Sequence, residues 1–237
     1  MCGRYTLTRH EDAVTDLQAS LGVSAHGEWW RARFNVAPTQ PAPIVFRLDG
    51  GPRTLELFRW GLVPFWADGE LKKPPPMINA RSESLAHKQW FREALATRRC
   101  LVPADGFFEW RRGEGKGTKP LPIWFHPAHR HTIAFAGLWA RAQTSHGDQL
   151  SFTIITGKPN PLVRPVHDRM PIVLDPASYD AWLDPGVDGA AAQALLVTPP
   201  VGDWIGEPVS QHVNKATNDD PECVAPVAAE SAQRSLF

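Results

Sequence analysis

The residue with the clearest reactive potential is Cys2, the second residue of the chain. Initiator methionine is normally removed when a small residue follows it, so we expect the mature chain to begin at Cys2. A terminal cysteine carries an α-amine and a thiol two carbons apart. Near pH 7.4 roughly a quarter of such an amine is unprotonated, against about one lysine in a thousand. The amine can therefore attack an aldehyde, and the neighbouring thiol can close the imine into a thiazolidine ring.

Three further residues could move protons or orient a reactant beside such a nucleophile. Glu109 stands between aromatic residues in a predicted strand, where desolvation would raise its pKa, although an alternating strand could equally turn it to solvent. His167 lies in a loop before a strand and is either an acid or base or a hydrogen-bonded turn residue. Asn79 and Arg81 follow a proline-rich loop and offer an amide and a phosphate-binding fork; the alternative is a turn asparagine beside a surface arginine.

Hydrophobic periodicity and turn residues predict the elements that must position these side chains. Thr8-Arg9-His10-Glu11 is typical of a capping box and predicts a short helix that stops at Gly22. Asp49-Gly50-Gly51-Pro52 and the glycine-rich stretch 113–117 predict the turns of two hairpins. The predicted strands are 44–48, 54–58, 107–110, 121–125, 133–139, 150–156 and 171–174.

The remaining patterns complete a prediction of fold class. Helices are predicted at 84–96 and 177–183, the second behind an Asp175 cap and Pro176. Residues 58–79 contain four prolines and are expected to be irregular, and long ordered loops often carry function. We expect an α+β fold with one domain over 2–225. Its core is a mainly antiparallel, twisted, barrel-like sheet with peripheral helices, and a disordered tail follows over 226–237.

Composition limits the classes of function. The 25 basic residues equal the 25 acidic ones, so no global field attracts nucleic acid and any basic surface must be local. No long apolar run or secretory signal is present, which predicts a soluble protein that does not bind membranes and resides in the cytoplasm, near the nucleoid if bacterial. Three widely spaced cysteines indicate free thiols. No glycine pattern for a dinucleotide or phosphate occurs, so we expect no cofactor.

Six ordered segments resemble one known family, the SOS-response-associated peptidase (SRAP) family, along the whole chain. They are Cys2-Gly3-Arg4-Tyr5, Asn35-Val36-Ala37-Pro38-Thr39, Trp60-Gly61-Leu62-Val63-Pro64, Asn79-Ala80-Arg81, Pro103-Ala104-Asp105-Gly106 through Glu109-Trp110, and His167-Asp168-Arg169-Met170-Pro171. Val209-Ser210 and Val213-Asn214 resemble the closing strand of that family.

The resemblance implies covalent capture of an abasic deoxyribose in single-stranded DNA by Cys2. It implies that Asn79 orients the attacking terminus or the sugar, that Glu109 handles protons in ring opening and imine formation, and that His167 assists proton transfer and reversal. Thr156 resembles a supporting hydroxyl of the site. Strand cleavage by β-elimination and autocatalytic removal of Met1 stay open.

The resemblance also implies a DNA-binding surface. Phe65 and Trp66 resemble a wedge that separates a single strand from adjoining duplex, although Trp66 could instead fill the core. Which of Lys88, Gln89 and Arg92 contacts DNA stays open. The implied partner is single-stranded DNA with an abasic site, and this site could lie at a junction between single-stranded and double-stranded DNA. The protein is expected to be a monomer. The residues assigned to phosphates or DNA are Arg4, Arg81 and Arg169 with Pro38.

Three other hypotheses remain from the residues alone. A cysteine near a histidine could serve a cysteine peptidase or an autopeptidase. A non-covalent single-strand binder would function without Cys2. His126, His129 and His131 crowd together in the sequence and could hold a metal, but no carboxylate or thiolate accompanies them, so no metal is expected there.

Overall fold

The computed structural model describes residues 2–8, 21–23, 31–64, 77–113, 115, 117–129, 131–144, 147–198 and 200–227. Over these residues the chain is mainly antiparallel sheet with short peripheral helices, which confirms the expected α+β class. The strands are β1 Arg4–Leu7, β2 Arg33–Val36, β3 Pro41–Arg47, β4 Arg53–Trp60, β5 Asn79–Arg81, β6 Arg99–Ala104, β7 Gly106–Arg111, β8 Leu121–Pro127, β9 Ile133–Thr144, β10 Gly147–Gly157, β11 Met170–Pro171 and β12 Trp204–Pro208.

The larger sheet closes on itself as a five-stranded barrel. Strands β4, β3, β6 and β9 pair in that order, and β10 pairs with both β9 and β4 to close the ring. Closure removes exposed strand edges and encloses an apolar interior. Aromatic side chains fill it: the rings of Phe46 and Trp139 are 5.1 Å apart, and Phe58 packs edge-on against Trp139.

The smaller sheet carries the N-terminal strand, in the order β12-β8-β7-β1-β2. The close fit of β1 depends on Gly106, which pairs with Thr6. A Cβ atom on Gly106 would lie 2.4 Å from Nε1 of Trp124, and that indole donates to the Thr6 hydroxyl at 3.1 Å. Asp105 accepts bonds from both the backbone N–H and the hydroxyl of Thr8, each at 2.6 Å. These contacts fix the second half of β1 and the residue after it.

Helices lie outside the sheets: α1 is Gln89–Thr97, α2 is Tyr179–Leu183 and α3 is Gly189–Ala194. The structure shows α1 beginning five residues later than predicted, with a 3-10 turn at Ser82–Ser84 in its place. The Asp175 cap is confirmed, since its carboxylate accepts from the N–H of Ala177 at 2.9 Å. None of the helices among the described residues is long and apolar enough to cross a membrane.

The two predicted hairpins are confirmed as β3–β4 and β7–β8, and each strand is extended by a few residues. Of the two pairs that resemble a closing strand, Val209-Ser210 contributes only an isolated bridge at Val209, and Val213-Asn214 lies in the 3-10 helix Gln211–Asn214; the last described strand is β12. The Ser210 side chain caps that helix by accepting a hydrogen bond from the N–H of His212, and such a local bond competes with strand pairing. Most of the helix predicted between the capping box at 8–11 and Gly22 lies outside the described residues, as do 65–76 and 228–237. Pro226 is described and forms a bridge with Val209.

Candidate functional site

Cys2 lies two residues before β1 and is fully buried. Asn79 fixes its main chain, since the Asn79 amide donates from Nδ2 to the carbonyl oxygen of Cys2 at 2.8 Å. The Cys2 thiol contacts the carbonyl oxygen of Arg4 at 3.6 Å. Burial, with a further contribution from Glu109, raises the pKa of this thiol well above its ordinary value. The sulfur is therefore a neutral thiol at neutral pH.

Glu109 reaches the same place from the neighbouring strand. Strand β7 runs antiparallel to β1 and pairs Phe108 with Arg4, so the next residue along β7 lies beside the residues that precede β1. Glu109 is 3% exposed. Burial is the main cause that raises its pKa to about 7, and the charge of Asp168 acts in the same direction. A carboxyl that titrates near neutrality can both accept and donate a proton.

His167 approaches Glu109 from the loop before β11. Its Nδ1 lies 4.0 Å from Oε1 of Glu109 and 3.0 Å from a carboxylate oxygen of Asp168. The backbone N–H of Arg169 donates to the same Nδ1 at 3.0 Å. That bond assigns the ring proton to Nε2, and burial lowers the pKa of His167. His167 is therefore a neutral imidazole whose Nε2 carries the proton.

Strand β10 brings these segments together. It pairs in parallel with β5, with Ile154 opposite Asn79, and antiparallel with β11, with Thr156 opposite Pro171. The hydroxyl of Thr156 donates to the carbonyl oxygen of Ala80 at 3.4 Å. Thr156 therefore lies where β5 and β10 pair, and its hydroxyl bonds to the main chain of the residue after Asn79.

Arg169 is engaged by the protein. Its guanidinium makes two bonds of 2.8 Å to the carboxylate of Glu83 and donates to the carbonyl oxygen of Thr156 at 2.6 Å. The bonds from Arg169 lower the pKa of Glu83 to about 2, so this pair stays charged at neutral pH. The Arg169–Glu83 ion pair holds the 3-10 turn at Ser82–Ser84 against the loop that carries His167.

Arg4 is likewise used within the fold. It donates to Oδ1 of Asn35 at 3.0 Å and to the carbonyl oxygen of Val213 at 2.7 Å, and its guanidinium lies over the ring of Trp110. The Asn35 amide donates in turn to three carbonyl oxygens of the segment 213–218. These bonds fix the C-terminal segment against β1.

An open depression of about 480 Å³ adjoins His167. Arg112 and Arg164 line it, both side chains are exposed, and Trp110 forms part of its wall. Sequence reasoning missed the two arginines; the signal that could have found them is a basic residue within three positions of Trp110 and of His167. The volume lies in the range of small-ligand sites.

The other predicted DNA contacts are placed as follows. Arg81 at the end of β5 is exposed, and among the described residues no carboxylate pairs with it. Pro38 is half-buried in the turn after β2, next to Thr39, whose φ is 72°. Lys88 and Arg92 are exposed at the start of α1. Phe65 and Trp66 lie outside the described residues.

The three histidines at 126–131 do not come together. His126 is buried, and its Nε2 faces the Glu207 carboxylate at 3.2 Å. His129 and His131 are exposed. Within the described ranges these imidazoles form no group of metal-ligating atoms.

The fold and the site together define a class: a barrel beside a second antiparallel sheet, with a cysteine buried at the N-terminal strand of that second sheet, near an amide, a carboxyl and an imidazole. Comparison with known proteins gives the family. The family model for SRAP, SOS response associated peptidase, matches residues 1–216. The chain belongs to the SRAP family.

Similar proteins agree with this assignment. The chain is 38% identical over 226 residues to the abasic site processing protein YoqW of Bacillus subtilis, covering 94% of this chain and 99% of that protein. It is 29% identical to the abasic site processing protein HMCES of Xenopus tropicalis, covering 96% of this chain and 78% of the relative. A crystal structure of a Bacteroides thetaiotaomicron protein superposes with a TM-score of 0.80 at 23% identity, covering 96% of this chain and all of that one, which supports the fold.

Proposed function

We propose that this protein processes abasic sites in DNA and that, after removal of Met1, Cys2 captures the lesion in single-stranded DNA as a covalent thiazolidine. The observation that carries the proposal is the position of Cys2, with its carbonyl bonded to Asn79 at 2.8 Å and its thiol within the field of Glu109. The similarity to YoqW, an abasic site processing protein, supports the lesion as the substrate.

The chemistry balances without a cofactor. An abasic deoxyribose in its open form presents an aldehyde. The α-amine of Cys2 attacks the aldehyde carbon, a C–N bond forms, and loss of one water leaves an imine. The thiol then adds across the C=N bond: sulfur bonds to carbon and the thiol proton ends on nitrogen. The five-membered product joins protein and DNA.

Proton transfer is assigned to two side chains. The Cys2 thiol is neutral because it is buried, so its proton must leave as the C–S bond forms. Glu109, with a pKa near 7, is suited to accept that proton and to protonate the departing hydroxyl of the carbinolamine. His167 can donate from Nε2 and assists opening of the sugar ring and reversal.

DNA is proposed to approach through the open depression beside His167. Arg112 and Arg164 are exposed in this depression, and Arg81, two residues after Asn79, is exposed as well. These three arginines are better placed to contact phosphates than Arg4 and Arg169, which already have partners in the protein. Phe65 and Trp66 stay predicted as the wedge at a single-strand/double-strand junction. Because phosphate contacts release counterions, non-covalent binding should weaken as salt rises.

The decisive experiment incubates the full chain, shown by mass spectrometry to begin at Cys2, with single-stranded DNA containing one abasic site. Wild type should give a heat-stable shifted band on a denaturing gel. Cys2→Ala should give none without reduction. Cys2→Ala and Cys2→Ser both keep the terminal amine, so each should give a band after borohydride reduction of the imine. A heat-stable band from Cys2→Ala without reduction, or no band from wild type, would reject the mechanism.

Matched variants separate chemistry from binding. Glu109→Gln and His167→Ala should slow crosslinking or its reversal by about 10² to 10⁴ fold, while anisotropy with uncleaved single strands changes little. Cys100→Ser removes a buried thiol elsewhere in the barrel and should crosslink like wild type. Peptide cleavage that needs Cys2 and leaves abasic DNA unattached would favour the peptidase hypothesis instead.

A further inference from the structure

A second group of reactive side chains lies in the C-terminal segment, on two 3-10 helices. His212 belongs to Gln211–Asn214, and Cys223 belongs to Pro221–Val224, which Asp220 caps. One ligand atom from each of His212, Asp220 and Cys223 lies within 4.8 Å of the other two. No step of the proposed DNA chemistry uses them.

The three donors are an imidazole nitrogen, a carboxylate oxygen and a thiol sulfur, which is a ligand set typical of zinc. Bonds to zinc of about 2.0 to 2.3 Å place tetrahedral ligands roughly 3.3 to 3.8 Å apart. The His212 Nε2 to Asp220 separation is 2.9 Å, so small side-chain movements suffice to seat an ion.

The backbone around the three ligands is already fixed. The Asn218 amide donates to the carbonyl oxygen of His212 at 2.8 Å, and the Cys223 N–H donates to that of Asp220 at 3.0 Å. The second oxygen of the Asp220 carboxylate accepts from the N–H of Glu222 at 3.0 Å. Little conformational entropy would be lost on binding, because the ligands are held in place beforehand.

A second, independent feature is a carboxylate behind the imidazole. Nδ1 of His212 lies 3.7 Å from Oε1 of Glu222, on the ring side opposite the Nε2 that faces Asp220. Histidines that ligate metals usually donate their other N–H to a carboxylate or carbonyl, which fixes the tautomer and strengthens the ligand. A small movement of the Glu222 side chain would close this separation to a hydrogen bond.

We propose that His212, Asp220 and Cys223 bind one zinc ion, with Glu222 as the partner of His212 and water at the fourth position. On binding, the thiol proton is released to solvent and the His212 proton moves to Nδ1, where it is donated to Glu222. The side chain of His212 is 26% exposed and that of Asp220 49% exposed, which gives the ion a path from solvent.

The ion would tie together the segment that holds the N-terminal strand. The carbonyl oxygen of Val213, one residue after His212, accepts from Arg4, and that of Asn218 accepts from Asn35. Zinc binding therefore stabilises the contact between residues 212–223 and β1. This inference does not depend on the DNA chemistry, since the ligands are separate from Cys2.

The test uses the full chain stripped of metal by a chelator that is then removed. Cobalt(II) is titrated first, because a thiolate ligand gives a charge-transfer band, and zinc(II) is then titrated by calorimetry. Wild type should bind one ion per chain with the band. Cys223→Ser should lose the band, and Glu222→Gln should bind zinc about 10 to 100 fold more weakly.

Two further variants keep the result interpretable. Cys2→Ala removes the terminal aminothiol, which could itself chelate cobalt, and should retain the band. His212→Gln changes a partly exposed side chain, so its fold can be verified by circular dichroism, and it should weaken zinc binding. The absence of the band in wild type would overturn the proposal. So would a band that disappears with Cys2→Ala and survives in Cys223→Ser. Unchanged zinc affinity in a folded His212→Gln would overturn it as well.

Discussion

Replacing Glu109 with glutamine tests whether the buried carboxyl reduces the stability of the fold at neutral pH. Glutamine keeps the shape of the side chain and removes its titration. Because burial raises the pKa of Glu109 from 4.5 to about 7 in the folded protein, the native state binds this proton more tightly than the unfolded chain. The stability that the bound proton supplies is complete below the unfolded value and is lost as the pH rises to about 7.

The size of the effect follows from that interval. Each pH unit by which the folded pKa of Glu109 exceeds its unfolded pKa corresponds to about 1.4 kcal/mol of unfolding free energy. Between pH 5 and pH 8 the wild type should lose about 2 to 3 kcal/mol of unfolding free energy through this group. Glu109→Gln should lose none of it, so the stability of the variant rises relative to that of the wild type as the pH rises.

The assay is urea denaturation at pH 5, 6, 7 and 8, with the free energy of unfolding extrapolated for both proteins and equal slopes as the two-state check. Groups far from Glu109 that titrate in this range cancel in the difference between wild type and variant, whereas His167, 4.0 Å from Glu109, contributes to it. Glu56→Gln, at an exposed position of β4, serves as the control and should run parallel to wild type. A wild-type minus Glu109→Gln difference that stays constant between pH 5 and pH 8 would refute the assignment of a raised pKa.

Three further predictions concern the parts that hold and surround the site. Arg4→Met should lower stability by about 3 kcal/mol, because it leaves Oδ1 of Asn35 and a buried carbonyl without their charged donor, and urea denaturation beside Arg4→Lys checks this. Gly106→Ala should cost about 2 to 3 kcal/mol, since the new Cβ would meet Trp124 at 2.4 Å; a melting temperature equal to wild type would contradict that contact. Arg81→Ala should reduce the slope of log K against log salt for single-stranded DNA by about 1, measured by anisotropy, and an unchanged slope would show that Arg81 contacts no phosphate.

Local sequence signals were sufficient where the structure depends on neighbours in the chain. The hairpins β3–β4 and β7–β8 follow from turn residues between alternating strands, and the Asp175 cap follows from a short polar side chain before a proline. The short strands β1, β2 and β5 carry no such signal, because three or four residues are held by long-range pairing alone.

The same distinction applies to the site. The sequence by itself predicted the candidate reactive groups: Cys2, which removal of Met1 would make terminal, and the amide, carboxyl and imidazole of Asn79, Glu109 and His167. Burial, register and partners are tertiary properties. Only the folded chain decided that Glu109 titrates near neutrality and that Arg4 and Arg169 are held by other parts of the protein. The physical reason is that desolvation and charge pairing depend on distances between residues far apart in sequence, which the fold alone sets.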